Sequence, residues 1–328
     1  MDQSALPRNI RPLTATDIER VIEIDASYAL RSRRGFFERR LAAALAEPRG
    51  FVYVGHDQGA GLDGYILARL VAGEFGQAQT AADLDAVAVA KDSSGQGIGR
   101  VLLAGLEGIL RHKGVGRLRS EVDWRNGLLT EFFAATGFVM APRHILERDL
   151  SQPFLTPLPS TEASAELDFS DDRDESPATL ARDRYPCRPL QATDLPAMQQ
   201  LGERLFGYRR DDYYRIRLHE ALEESGVRVS LAVDIDDRLA GFIMARTDFG
   251  EFGRSEPAAV IDTIEVDPGY AHHHVGSALL GQLCSNLGAL RIDAARTEVA
   301  WNQFDLLAFL DASGFRPSQH LALERRVF

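Results

Sequence analysis

The chain has 328 residues, of which 45% are hydrophobic and 26% charged, a size and composition typical of a globular protein with room for two domains. Its formal net charge of -11 argues against a nucleic-acid partner, because such partners normally require a basic face. With only two cysteines, no signal-peptide core and no apolar run of membrane-spanning length, a disulfide framework is excluded and we expect a cytoplasmic protein without a membrane partner.

The first 150 residues predict alternating helices and strands. Thr16 and Glu19 predict a capping box that opens a helix ending near residue 28. Apolar periodicity and turn residues predict the elements that follow. In chain order these are a helix at 32–47, a hairpin with strands at 51–57 and 64–70, a strand at 84–89, a helix at 97–112, a strand at 117–124, a short helix at 126–136 and a strand at 143–150.

The sequence contains an internal repeat. RPLTATD begins at Arg11 and RPLQATD at Arg188, an offset of 177 residues. The same offset relates GYILAR at Gly64 to GFIMAR at Gly241. Matches at one gapless offset indicate a tandem duplication.

The duplication predicts the domain organisation. We expect two similar domains at 1–150 and 188–328, joined by an acidic, Pro- and Ser-rich linker at 151–187. The identical spacing of the two halves predicts that the domains pair within the chain with approximate twofold symmetry. A homodimer is left open.

The segment SSGQGIGRVLL, at residues 93–103, joins a predicted strand to a predicted helix through a glycine-rich turn. Free backbone N–H groups and the helix dipole favour an anion at such a position, and the glycines keep side chains away from it. The alternative is a tight strand-to-helix turn without a ligand. A dinucleotide-binding turn is disfavoured, because its fingerprint requires a glycine where this chain has Arg100.

With its surroundings, the turn resembles the signature of the GNAT acyltransferases, the Gcn5-related N-acetyltransferase superfamily. SGQGIG at 94–99 fits the cofactor motif, with Ser94 where arginine or glutamine is usual, and NGLLTEFFAATGF at 126–138 fits a second motif. The resemblance covers both halves and implies an α/β fold of the α+β type. Each of two tandem domains would be a mixed, largely antiparallel sheet flanked by helices.

The resemblance also implies acetyl-CoA, or a related acyl-CoA, as cosubstrate. The amides from Gln96 to Arg100 would bind its pyrophosphate, and the strand edge at 87–89 would bind the pantetheine arm and the thioester carbonyl. Asn126 matches a family asparagine that helps to hold the cofactor, and helix capping is its alternative role. The implied cofactor-binding residues are Val87, Ala88, Val89, Ser94, Gly95, Gln96, Gly97, Ile98, Gly99, Arg100 and Asn126.

Two acidic residues are candidate catalytic groups. Glu121, in RSEV, occupies the position at which some members of the family carry a glutamate base, whereas their tyrosine acid twelve residues later is replaced here by Phe133. Asp85 is predicted by strand alternation to share a face with Val87 and Val89, as a base or an amine anchor. The alternative for Asp85 is a hydrogen-bonded structural aspartate.

The missing tyrosine leaves open how the departing thiolate is protonated. Solvent can supply the proton, because a thiol with a pKa of about 8.5 is a tolerable leaving group. Another tyrosine, such as Tyr28, can supply it instead. The third alternative is a chain that binds acyl-CoA without turnover.

The second half carries a different turn, AHHHVG at 271–276, in which His274 replaces Gly97 of the first turn. A side chain at this position is expected to crowd a pyrophosphate. Adjacent histidines in a turn splay apart and no cysteine or acid is placed to complete a shell, so we predict no metal site. We expect the second half to be a structural, substrate-shaping or regulatory domain.

These features together predict an N-acyltransferase. It would transfer acetyl from acetyl-CoA to a primary amine, in a small molecule or a peptide, by direct attack in the N-terminal domain. The alternative is a non-catalytic acyl-CoA-binding protein with a regulatory or scaffolding role.

Overall fold

The computed structural model describes most of the chain. The described residues are 9–28, 32–59, 61–71, 81–151, 181–182, 184–225, 227–248, 252, 254 and 258–328. Nearly all of the predicted linker at 151–187 therefore lies outside the described residues.

The chain forms two compact units. Unit 1 contains Met1–Arg143, Asp248–Pro257 and Gln319–Phe328, and unit 2 contains His144–Thr247 and Ala258–Ser318. Each unit therefore includes a segment from the other half of the sequence. The domain boundaries drawn from the repeat follow the duplicated sequence and stay a prediction.

The predicted elements of the N-terminal half all occur in the predicted order, with bounds shifted by at most three residues, and two short strands at 10–12 and 139–140 were not predicted. Its strands are β1 (Ile10–Pro12), β2 (Phe51–Asp57), β3 (Leu62–Val71), β4 (Ala81–Val89), β5 (Arg117–Asp123), β6 (Val139–Met140) and β7 (Arg143–Asp149). Its helices are α1 (Ile18–Ala26), α2 (Arg34–Ala46), α3 (Ile98–His112) and α4 (Gly127–Ala135).

The C-terminal half repeats this order. Its strands are β8 (Arg188–Pro189), β9 (Leu231–Ile235), β10 (Arg238–Asp248), β11 (Ala258–Val266), β12 (Ala294–Ala300), β13 (Arg316–Pro317) and β14 (His320–Arg326). Its helices are α5 (Leu195–Phe206), α6 (Asp211–His219), α7 (Val275–Ala289) and α8 (Phe304–Ala312).

Each unit is built on one mixed sheet. The strand order is β1-β2-β3-β4-β5-β14-β6 in unit 1 and β13-β7-β12-β11-β10-β9-β8 in unit 2. The pairs β4–β5 and β11–β12 are parallel, whereas β1–β2, β2–β3, β3–β4 and β5–β14 are antiparallel. The predicted fold class, two largely antiparallel mixed sheets flanked by helices, is confirmed.

The entry to α1 differs from the prediction. The capping box is formed by Thr14 and Asp17, and not by Thr16 and Glu19: the Asp17 carboxylate accepts hydrogen bonds from the Thr14 amide and hydroxyl, each 2.8 Å long. Arg11 donates two further bonds of 2.8 Å to the same carboxylate and lowers the pKa of Asp17 to about 2. The prediction of a box formed by Thr16 and Glu19 was wrong, because the Asp17 carboxylate binds both donors of Thr14 and the guanidinium of Arg11.

Helices cover both faces of the unit 1 sheet. On one face, α3 buries a leucine stripe against the inner strands, including Leu102, Leu106 and Leu110. On the other face, α2 buries Phe36 and Phe37 in a core shared with α1, β2 and β3. The middle strand β4 is therefore covered by helices on both sides, and only its backbone edges remain for other contacts.

Candidate active site

The strands β4 and β5 of unit 1 separate after a short parallel pairing. Within the residues that the structure describes, the pairing involves only Ala82 and Asp83 of β4, although β4 continues to Val89. The last link is the hydroxyl of Ser120, which donates to the Leu84 carbonyl at 3.1 Å. Beyond it no backbone pairing joins the described residues of the two strands, and we call this unpaired stretch between β4 and β5 the unit 1 wedge.

The backbone of β4 directs polar groups into the unit 1 wedge. The Ala90 amide donates to the Asp63 carbonyl at 2.7 Å. Because hydrogen bonding alternates along an antiparallel pair, the N–H and C=O groups of Val87 and Val89 point away from β3 and towards the wedge. An extended ligand can therefore hydrogen-bond to the strand at the residues predicted to hold pantetheine.

The glycine turn follows the wedge directly. Gly95 and Gly97 have φ values of +79° and +80°, in the left-handed region that glycine adopts at no steric cost. Gly97 is the N-cap of α3, and a β-carbon at either glycine would meet no heavy atom within 4 Å. The space in front of this turn is open.

The turn presents a group of backbone donors. Among the described residues, the amides of positions 95–99 donate to no backbone carbonyl, whereas the Arg100 amide donates to the Gly97 carbonyl at 3.0 Å. The side chains of Ser94, Gln96 and Arg100 are exposed. Orphan amides at the start of a 15-residue helix suit an anion.

The turn is held against α4. A β-carbon on Gly99 would lie 3.0 Å from Cε2 of Phe132, so the glycine permits close packing of α3 on α4. Ile98 is buried in the same core. Asn126 caps α4 by accepting a hydrogen bond from the Leu129 amide at 3.2 Å. The capping role is confirmed, and the cofactor role of Asn126 stays a prediction.

Glu121 lies on β5 beside the unit 1 wedge, two residues past the last parallel pair. Its Oε2 accepts a hydrogen bond from Nη2 of Arg254 at 3.0 Å, and only 7% of Glu121 is exposed. Arg254 is grouped with unit 1 although its sequence lies in the C-terminal half. The candidate glutamate therefore has a cationic partner that its own half of the chain does not provide.

Asp85 lies in a β-bulge. The pairing of β3 with β4 steps from Leu67–Ala86 to Ala68–Leu84, which leaves Asp85 as the extra residue. A bulge interrupts strand alternation, so the prediction that Asp85 shares a face with the valines of this strand was wrong. Its side chain is directed to the α2 side of the sheet instead.

The Asp85 carboxylate is fully buried between two arginines. Its oxygens lie 3.6 Å from Nε of Arg69 and 3.9 Å from Nε of Arg40. In unit 2 the repeat partner Asp262 has the corresponding neighbours, Arg246 at 3.3 Å and Arg217 at 3.8 Å. A cluster that recurs in both units favours the structural alternative, and a catalytic role for Asp85 stays a prediction.

Tyr28 reaches the unit 1 wedge. Its hydroxyl donates to the Val89 carbonyl at 2.7 Å, and the Lys91 ammonium lies 5.6 Å from its ring centroid. Phe133, at the family tyrosine position, is buried and lies edge-on to Phe138, 4.7 Å away. The aromatic ring at 133 fills the core, whereas Tyr28 brings a hydroxyl to the strand edge.

Unit 2 repeats the separation of the two strands. Among the described residues, β11 and β12 pair in parallel only at Ala259 and Val260 of β11. The Thr297 hydroxyl then donates to the Ile261 carbonyl at 2.9 Å, as Ser120 does in unit 1. The backbone frame of the candidate site is therefore duplicated.

The second turn keeps its conformation without its glycines. His272 and His274 have φ values of +63° and +66°, close to those of the first turn. The His273 amide donates to the Tyr270 carbonyl at 3.2 Å, and its Nδ1 lies 2.8 Å from the Ala271 carbonyl oxygen. Side chains therefore project where the first turn leaves open space.

Within the described ranges, no group of three or more His, Cys, Asp or Glu side chains is placed to hold a metal ion. No helix in the same ranges is long and apolar enough to cross a membrane.

A family model supplies the identification. The acetyltransferase (GNAT) family matches residues 18–138 and 195–315, which include both turns and both strand separations. The chain belongs to the GNAT family. Its two matched segments coincide with the repeat, so this GNAT protein is a tandem duplicate. No curated protein sequence matches the GNAT chain.

Solved structures share the tandem GNAT fold. A tandem GNAT protein from the clavulanic acid biosynthesis pathway has a TM-score of 0.60 at 16% identity, with 97% of this chain and 98% of that chain covered. A GCN5-related N-acetyltransferase from Sphaerobacter thermophilus has a TM-score of 0.59 at 13% identity, with 98% and 97% covered.

A third structure is much longer than this GNAT chain. The glucosamine N-acetyltransferase region of a fungal multi-domain β-N-acetylglucosaminidase has a TM-score of 0.63 at 12% identity. The match covers 96% of this chain and 37% of that one, so the chain spans about a third of its length. At these identities the three structures show the shared fold alone.

Sequence reasoning missed several residues near the site. Arg254 was not predicted, because nothing in its local sequence relates it to Glu121. Arg40 and Arg69 were also missed, although the repeat offers a signal: both recur at the 177-residue offset, as Arg217 and Arg246.

Proposed function

We propose that unit 1 transfers an acyl group, most simply acetyl, from acyl-CoA to a primary amine. The observation that carries the proposal is the sequence of features along one chain segment: an open strand edge at 87–89, then left-handed glycines, then unused helix amides. Family membership supports acyl-CoA as the donor class in general.

The residues present fit such a donor. Of the amides predicted to hold the pyrophosphate, Gln96 to Arg100, we retain those at 96–99, because the Arg100 amide already donates to the Gly97 carbonyl. A side chain at Gly97 would project into the open space in front of the turn. The outward N–H and C=O groups of Val87 and Val89 would pair with the amide-containing pantetheine arm. Asn126 and Gly99 would hold the turn and α4 in place.

When bound, the acyl-CoA would supply a thioester. The neutral amine nitrogen forms the new C–N bond and loses one proton to water, the C–S bond breaks, sulfur takes the electron pair, and CoA leaves as a thiol after gaining one proton. Glu121 would orient the amine through hydrogen bonds at the separated strands. Tyr28, whose hydroxyl lies on the wedge edge, would donate the proton. Asp85 would fix the guanidinium groups of Arg40 and Arg69 on the α2 side of the sheet.

Unit 2 would not bind the donor in the same way. Its wedge is retained, but His272 and His274 fill the region that the glycines leave open in unit 1. Unit 2 also has Leu205 at the repeat position of Tyr28. We therefore place the reaction in unit 1.

Calorimetric titration with acetyl-CoA tests the binding step. Gly97→Trp should abolish binding, because the indole would occupy the pyrophosphate position, whereas His274→Trp at the matched position of unit 2 should leave affinity unchanged. A Gly97→Trp protein that binds as tightly as the wild type would contradict the assignment to unit 1.

Release of free CoA across a panel of primary amines separates the enzyme from a non-catalytic binder. The proposal expects release that depends on the amine and is lost in Gly97→Trp. Tight binding of acetyl-CoA with no release beyond the rate without amine would favour the acyl-CoA-binding regulatory or scaffolding alternative.

A further inference from the structure

The GNAT site proposed for unit 1 contains one charged residue from the C-terminal half of the sequence. We propose that Arg254 is a positioning residue of that site: it holds Glu121 through Oε2 and leaves Oε1 to accept an N–H of the acceptor amine. The inference rests on the proposed function, because it concerns how the amine is oriented.

The geometry of the pair supports a fixed carboxylate. Nη2 of Arg254 lies 3.0 Å from Oε2 of Glu121, and the two side chains are 13% and 8% exposed. A charge-assisted hydrogen bond away from bulk water is stronger and more directional than an exposed ion pair. Among the described residues, no hydrogen bond to Oε1 of Glu121 is found, so one oxygen is held and the other remains for a ligand.

The position of Glu121 relates this oxygen to the unit 1 wedge. On β5, Leu118 and Val122 face the α3 side of the sheet, so Glu121 faces the opposite side, where α1 and α2 lie. Arg119 shares this face and binds Asp83 at 2.7 Å. On β5, Glu121 is thus the first acid beyond the parallel pairing.

The two arginines on this face have different partners. Arg119 binds Asp83, its partner in the parallel pairing of β4 and β5, at 2.7 Å. Arg254 binds the only carboxylate of the described part of β5 that lies between this pair and the strand end at Asp123. Its role is therefore separable from that of Arg119 by mutation.

Steady-state kinetics on the full chain tests the inference, with Arg254→Gln, Arg254→Lys and Arg254→Ala. We expect Arg254→Gln to raise the KM for the amine by about tenfold or more, the loss expected for one charge-assisted hydrogen bond. The Kd for acetyl-CoA should stay within about twofold of the wild-type value, because the proposed role of Arg254 is to orient the amine and not to bind the cosubstrate. Arg254→Lys should recover part of the loss.

Two controls separate positioning from a loss of structure. Arg119→Gln removes a buried ion pair of similar exposure on the same face, and it should destabilise the protein without raising the amine KM selectively. Guanidinium at millimolar concentration should restore activity to Arg254→Ala and leave Arg119→Gln unchanged.

The outcomes distinguish the two proposals. If wild-type protein releases CoA with an amine and the Arg254 variants keep their amine KM, the positioning role is overturned and the proposed function stands. If the amine KM and the acetyl-CoA Kd rise by the same factor and guanidinium does not restore activity, the role of Arg254 is structural and the inference is also overturned. If the wild type transfers no acyl group to any amine, the proposed function fails first.

Discussion

A β-carbon built on Gly202 of α5 would overlap the hydroxyl oxygen of Tyr214 and lie 2.6 Å from its Cζ. At the repeat position in unit 1, Asp25 occupies this space and pairs with Arg33 and with the hydroxyl of Tyr65. In unit 2 the acid is Glu265 on β11, which accepts hydrogen bonds of 2.9 and 3.0 Å from Tyr214. The acid lies on the first helix of unit 1 but on β11 in unit 2, and the tyrosine lies on β3 in unit 1 but on α6 in unit 2, while the arginine keeps its repeat position.

The overlap predicts that Gly202→Ala destabilises the protein. The added methyl group must displace a buried tyrosine, which costs about 1–3 kcal/mol for an overpacked core position. Gly288→Ala in α7 is the matched control, since a β-carbon there meets nothing within 4 Å and alanine favours the helix by about 1 kcal/mol. Thermal unfolding should show a lower Tm for Gly202→Ala and an equal or higher one for Gly288→Ala. Equal Tm values for the two variants would contradict the packing described here.

Glu265 predicts a pH-dependent stability. Burial raises the pKa of Glu265 from 4.5 to about 7, against the opposing effects of Tyr214, Arg210 and Thr263. A carboxyl with a raised folded-state pKa contributes stability that is present below the unfolded pKa and is lost as pH rises through the folded pKa. The pH window for this loss is therefore 4.5 to about 7.

Glu265→Gln should remove this contribution. As pH rises from 4.5 to 8, the unfolding free energy of the variant should increase by about 3 kcal/mol relative to that of the wild type. This figure is the pKa shift of Glu265 multiplied by about 1.4 kcal/mol per pKa unit. Denaturant unfolding at several pH values measures the difference, with Glu203→Gln at an exposed position of α5 as control. A difference that does not change with pH would show that Glu265 ionises in the folded protein as it does in the unfolded chain.

His274 predicts a gain of stability on substitution by glycine. A non-glycine residue in the left-handed region costs about 1–2 kcal/mol, and His274 has a φ of +66°. His274→Gly should therefore raise the Tm, and it should also open the second turn to an anion. Calorimetry should then show weak acetyl-CoA binding in addition to that of unit 1, whereas the reverse change, Gly97→His, should weaken binding. An unchanged Tm in His274→Gly would show that the strain is compensated elsewhere.

If Tyr28 is the general acid, its replacement should lower kcat by an amount that depends on the thiol leaving group of the acyl donor. Tyr28→Phe removes the hydroxyl that lies 2.7 Å from the Val89 carbonyl and should lower kcat with acetyl-CoA by about a hundredfold or more, as expected for loss of a general acid. The loss should be much smaller with an acetyl aryl thioester, because an aryl thiolate leaves without protonation. Equal losses with both donors would assign Tyr28 a structural role at the strand edge.

The local elements could be predicted from the sequence because their signals are local. Apolar periodicity gave the course of β2, β3 and α3 within a few residues, and the glycine turn was recognised from its residue types. The bulge at Asp85 could not be predicted, since one inserted residue leaves the apolar pattern on both sides intact. The contact of Arg254 with Glu121 depends on the fold, because the two residues are far apart in the sequence.

Because of the repeat, the sequence does not indicate which of the strands β7 and β14 belongs to which sheet. β7 and β14 are copies at the 177-residue offset, so either can pair with β5 or β12 and bury equivalent side chains. In the structure β14 is a strand of unit 1 and pairs with β5 along seven residues, from His320 to Arg326. Nothing in the pattern of apolar residues distinguishes this arrangement from pairing within each half.

The placement of β14 also bears on how the two copies can evolve. Removal of the C-terminal copy would take an interior strand, and Arg254, away from the sheet that carries the glycine turn. On the proposed function, a deletion of the second copy would therefore also dismantle the sheet on which the first site is built.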